Sequence, residues 1–72
     1  MRVVFGRKRS RHKVIFEQGP SDLHFIHVTF SEAPKDNIGS YRHKYSYWIL
    51  DTQMPRFREL MAKDGLTVES EE

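Results

Sequence analysis

The chain contains no cysteine. No disulfide can support its fold, and no thiolate can act as nucleophile or metal ligand; such usage suits a reducing cytosol. No apolar run approaches the ~20 residues of a membrane span. Arg2 near the N-terminus is not followed by an apolar core, so no signal peptide is expected. The expectation is a cytoplasmic protein with no membrane partner. The familiar catalytic signatures are also missing: no Gly-x-Ser-x-Gly elbow, no Gly-x-x-x-x-Gly-Lys phosphate loop and no His-Glu-x-x-His. There is no internal repeat and no low-complexity tract. The 72 residues make one domain. A chain of that size buries roughly 60% of its unfolded surface, which leaves room for one sheet and one helix but not for a deep enclosed pocket.

What is present is charge, unevenly spread. Formal net charge is only +2. Yet the first twenty residues carry Arg2, Arg7, Lys8, Arg9, Arg11 and Lys13 against Glu17 alone, while the last twelve carry Lys63 against Asp64, Glu69, Glu71 and Glu72. Such asymmetry points to a basic contact surface and an acidic tail; the alternative is solvated loops and a frayed end. Residues 1–69 read as one binding domain and 70–72 as the tail.

Hydrophobic periodicity gives the elements. Arg2–Phe5 is a short apolar strand stopped by Gly6, and His12–Glu17 is a second. The two form a hairpin with a basic tip too polar to bury. Gln18-Gly19-Pro20-Ser21-Asp22 is a turn by its punctuation. Leu23–Phe30 is a third strand, with Ile26, Val28 and Phe30 on its core face. A loop over 31–40 contains Pro34, Asp36-Asn37 and Gly39, with Ile38 as the residue that pins it. Tyr41–Leu50 is the fourth strand and holds the only tryptophan and all three tyrosines. Asp51 or Thr52 is placed to cap a helix, and Pro55 fits its first turn. Met54, Phe57, Leu60 and Met61 form an apolar stripe, the helix runs to about Lys63, and Gly65 ends it. Leu66–Glu69 is a last strand. The order β-β-β-β-α-β predicts an α+β fold, a small mostly antiparallel sheet with one helix on one face. A small barrel closed by the helix is the alternative.

The chemistry offered is binding rather than catalysis. His24 and His27 are an odd number of residues apart on a strand, which sends them to opposite faces. With no cysteine partners for these or for His12 and His43, no metal site and no cofactor is expected. A small ribonuclease needs a base beside cations, and His12 or His43 has such neighbours. The chain, however, ends in Glu69, Ser70, Glu71 and Glu72, where small toxin endonucleases carry catalytic residues. The reading is non-enzymatic.

Two partner classes remain open. Arg7, Lys8, Arg9, Arg11 and Lys13, with Arg42 and Lys44, suit phosphates, and Tyr41, Tyr45, Tyr47 and Trp48 interleave with them as stacking surfaces do in single-strand binders. Against stacking, a chain this small needs Trp48 in its core, beneath the helix. Alternatively the first strand is a sheet edge, and Val3, Val4 and Phe5 meet a partner strand beside basic residues that favour an acidic protein. A monomer is expected.

In its length, its basic Arg7–Lys13 hairpin and its sheet-plus-helix order, the chain resembles the small regulators of bacterial RNA polymerase encoded by bacteriophages, such as that of a lytic Xanthomonas phage. The resemblance implies residence in the host cytoplasm and contact with the N-terminal segment of the large β′ subunit. It also implies inhibition of promoter recognition and antitermination. It assigns no residue by itself.

Overall fold

A computed structural model describes every residue except Pro20 and Asn37. Those two belong to the expected turn after the second strand and the expected loop before the fourth. The elements are β1 (Arg2–Gly6), β2 (His12–Glu17), β3 (Phe25–Glu32), β4 (Arg42–Leu50), α1 (Met54–Lys63) and β5 (Thr67–Glu71). The five strands form one antiparallel sheet in the order β4-β3-β2-β1-β5. The sheet is open, with β4 and β5 at its edges, so it is not a barrel. The fold is α+β, as the periodicity predicts.

One face of the sheet carries the core. Paired residues in a ladder share a face, and the register aligns Phe5 with Val14 and Phe30, and Val3 with Phe16, Val28 and Tyr47. Ile26 and Ile49 extend this surface. Met54, Met61 and Leu66 close over it, with Phe57 and Phe30 partly buried against it. Phe16 sits at the centre, edge-on to both Phe5 and Phe57 at 5.3 and 6.3 Å.

The helix stripe is shifted from the one expected. Met54 and Met61 are buried, whereas Leu60 lies at the exposed margin. Neither Asp51 nor Thr52 caps α1. A turn of 3-10 helix, Asp51–Gln53, precedes it, and the Gln53 side chain accepts from the Leu50 N–H at 2.9 Å. The other end follows expectation. Gly65 has φ +80°, its N–H donates to Ala62 at 3.0 Å, and the Leu66 N–H donates to Met61 at 2.9 Å. This is the Schellman pattern, which needs the left-handed conformation that glycine adopts without a Cβ clash.

Trp48 and Leu50 do not lie under the helix. His27 pairs with Trp48 and Ile26 with Ile49, so Ile49 and Tyr47 take the core face and Trp48 turns away. Trp48 is 63% exposed and stacks on His27 at 4.5 Å. Ile38 is 75% exposed and pins nothing. Strand β3 begins at Phe25, with Leu23 and His24 before it; the His24 N–H donates to Asp22 Oδ1 in a side-chain-closed turn. Residues 70–72 are not a frayed tail. β5 reaches Glu71, and Glu72 exchanges backbone hydrogen bonds with Arg2.

Candidate binding surface

Antiparallel pairing places the β1–β2 and β3–β4 connections at the same end of the sheet, and α1 also finishes there. Arg7, Lys8, Arg9, Arg11, Lys13, Lys35, Arg42, Lys44 and Lys63 therefore gather at one end, nine of the chain's twelve lysines and arginines. All seven basic residues singled out from the sequence are among them.

They are not equivalent. Arg7 Nε and Nη2 donate to the Asp64 carbonyl oxygen at 3.0 and 2.5 Å, so the guanidinium caps α1 at the negative end of its dipole. Lys13 is nearly buried and its Nζ lies 2.7 Å from Glu69 Oε1. That carboxylate occupies the space over Gly6, where a Cβ would come within 2.6 Å of it. Glu32 bridges Arg11 at 3.4 Å and Lys44 at 3.8 Å, tying the hairpin loop to the start of β4. Among the described residues, no ion pair involves Lys8, Arg9 or Arg42.

The tip itself is closed by a four-residue turn in which the Ser10 N–H donates to the Arg7 carbonyl at 3.1 Å. Arg9 sits in that turn with φ +69°. A non-glycine residue held in the left-handed region costs on the order of 1–3 kcal/mol, and such strain collects at functional sites. Behind the tip, a cleft of about 550 Å³ opens over β2, β3 and β4 beside the end of α1. Val14, Phe30 and Tyr45 floor it, and Arg7, His12 and Lys44 lie on its rim. Tyr45 is 57% exposed and stacks on Phe30 with ring centres 4.5 Å apart.

The expected edge at Val3, Val4 and Phe5 is overturned. β1 has β2 on one side and β5 on the other, and the three residues are 0, 4 and 3% exposed. The crossover through α1 carries the C-terminal strand back to β1 and covers the edge that β1 would otherwise present. These side chains belong to the structure's interior and are open to no partner.

The aromatic residues of β4 are the functional candidates that the core reading of Trp48 displaced. Tyr45, Trp48 and, least of the three, Tyr47 are exposed on the edge strand that begins with Arg42 and Lys44. Among the described residues no three His, Asp or Glu side chains converge as a metal site, and no helix is long and apolar enough to cross a membrane. No family model, curated protein or solved structure matches the chain.

Proposed function

We propose that the chain is a non-enzymatic binding module whose basic end docks on a target rich in negative charge, and that this target is bacterial RNA polymerase. The outcome is then inhibition of initiation or promotion of antitermination, in the cytoplasm of a bacterial host. The observation that carries the binding reading is the convergence of nine lysines and arginines on one end of the sheet, more than Glu32 and Glu69 offset through their pairs with Arg11, Lys44 and Lys13, with Lys8 and Arg9 at the tip of a strained turn. A concentrated field of this kind speeds encounter with an acidic surface. The resemblance to phage regulators selects polymerase among such surfaces.

A second reading is supported by Tyr45 on Phe30 beside Lys44. A stacked ring pair next to cations is a platform for an unpaired base, with single-stranded RNA or DNA as the ligand. Affinity capture from bacterial lysate, with and without nuclease, separates the two. Polymerase retained after nuclease supports the first reading. Nucleic acid alone, lost on nuclease treatment, supports the second. Capture of neither sinks both.

A further inference from the structure

The two edges of the sheet are guarded to different degrees. An edge strand presents unpaired N–H and C=O groups, and proteins blunt it with charge, proline, bulges or short length. β5 is short, five residues, and carries Glu69 and Glu71. Those carboxylates are held by Lys13 and by Arg58, the latter at 2.5 Å.

β4 is the longest strand, nine residues, and only Ile49 in it is buried. Its first half is guarded by Arg42 and Lys44 and by the register break opposite Phe30–Ser31. Its second half, from Tyr45 to Leu50, has no charge, no proline and no glycine. Apart from buried Ile49 and polar Ser46, both faces of that half are exposed and apolar. Tyr45 and Tyr47 stand on the helix side, and Trp48 and Leu50 stand on the other, with Phe25 paired beside Leu50.

From this asymmetry we infer that β4 accepts an added strand from a partner protein. The strand is an extended segment that is apolar where it lies beside Tyr45–Leu50 and acidic where it lies beside Arg42–Lys44. The addition is antiparallel, in keeping with the rest of the sheet and with the slightly better pairing of antiparallel ladders. The partner segment is therefore apolar first and acidic last. Backbone hydrogen bonds supply affinity, and alternate side chains supply specificity. The acid is required by charge. Arg42 has no ion-pair partner among the described residues, and Lys44 shares Glu32 with Arg11. A second copy of this chain is a poorer occupant. Its β4 brings no carboxylate, and the acids within its β5 are already engaged by Lys13 and Arg58. The inference rests on the binding-module reading and names the kind of segment the partner supplies.

Trp48 is the only tryptophan and lies on this edge, so its emission reports directly on docking. The probe is a synthetic peptide that alternates Thr and Val and ends in Glu-Asp-Glu. It is compared with the reversed sequence, with a version ending in lysines, and with two versions N-methylated on alternate amides, one in each phase. Saturable binding with a blue shift is expected for the parent peptide, together with slowed amide exchange along Tyr45–Ile49. One methylation phase should bind at least ~tenfold more weakly while the other binds as the parent does, because alternate amides of an added strand face away from the sheet. The lysine and reversed peptides should bind more weakly than the parent.

Equal binding of both methylated phases would overturn strand addition. Equal binding of the lysine peptide would overturn acid recognition, and equal binding of the reversed peptide would overturn the antiparallel sense. Absence of any shift at millimolar peptide would show the edge to be closed. Sedimentation of the free protein as a dimer, with β4 amides protected, would give the site to a second copy instead. Polymerase capture is scored separately, so peptide binding without polymerase retention would reject the proposed target and leave the edge site standing.

Discussion

Replacing Arg7 by serine should destabilise the fold, whereas replacing Lys8 and Arg9 together should not, although the three residues are consecutive and carry the same charge. Arg7 makes two hydrogen bonds to the carbonyl that ends α1. Hydrogen bonds from charged donors contribute roughly 1.5–3 kcal/mol, and a cation at a helix C-terminus about 0.3–1 kcal/mol. These figures describe one contact and do not add. The contact is exposed, so water competes for both partners and the net effect falls to about 1 kcal/mol. For a domain of this size that shifts Tm by roughly 4–8 °C. Lys8 and Arg9 make no such contact, and surface changes of that kind stay within ~0.5 kcal/mol. Circular dichroism melts of Arg7→Ser, Arg7→Lys and Lys8→Ser/Arg9→Ser against the parent make the measurement. Arg7→Lys should fall between the parent and Arg7→Ser, since lysine keeps the charge and loses the fork. Binding should follow the opposite order. Losing Lys8 and Arg9 should lower the slope of log K against log salt by roughly 1.5–2 units on a nucleic acid, or lower the association rate on an acidic protein. An Arg7→Ser variant that melts with the parent, or a Lys8→Ser/Arg9→Ser variant that falls as far as Arg7→Ser, would refute a stabilising cap by Arg7.

The strained turn makes Arg9→Gly a variant that should gain about 0.5–1 kcal/mol of stability while weakening target binding; a lower urea midpoint would contradict the left-handed conformation of Arg9. Gly6→Ala should cost about 1 kcal/mol because its methyl displaces the Glu69 carboxylate from Lys13. The same substitution made together with Glu69→Ala should be close to neutral, and an unchanged cost in that background would show that the carboxylate is not what the methyl meets. Burial, and then the neighbouring Tyr45, raises the Tyr47 hydroxyl above its ordinary value. The unfolded chain therefore releases this proton first, near pH ~10, and stability declines from there up through the higher folded-state value. Tyr47→Phe should flatten that alkaline decline, as read from denaturation midpoints between neutral and high pH.

The features legible from the sequence are those fixed by local pattern. The alternation in Ile26, His27 and Val28 marks the third strand and its core face, and the apolar run Val14-Ile15-Phe16 marks the second strand, whose three residues are all buried; pairing with Phe5, Val3, Phe30 and Val28 is what gives Val14 and Phe16 the helix side. Gly65 gave the end of the helix. The run from Tyr47 to Leu50 is apolar on both parities, so period alone does not say which face the helix covers. The register with β3 decides it by pairing Ile49 with Ile26, and it leaves Trp48 outside. Size pointed the wrong way here. Tryptophan is the largest apolar side chain available, yet the largest fully buried side chains are Phe16, Ile26, Val3 and Val28, and Trp48 stands 63% exposed on the face away from α1.

The identity of the sheet edges is a non-local property, because it depends on where the chain goes after α1. Nothing in Arg2–Gly6 says that β5 will return beside it. Even so, composition carried a usable sign. A strand flanked on both sides needs no guard, and Val3-Val4-Phe5 has none: three apolar residues in succession, buried on both faces of the sheet. Charged side chains collect on the strands that do need one. Arg42 and Lys44 mark β4, and Glu69 and Glu71 mark β5. On that criterion the apolar run was the argument for placing β1 inside. The basic half of β4 and the unguarded aromatic half that follows it then mark the strand on which an added partner strand can be tested.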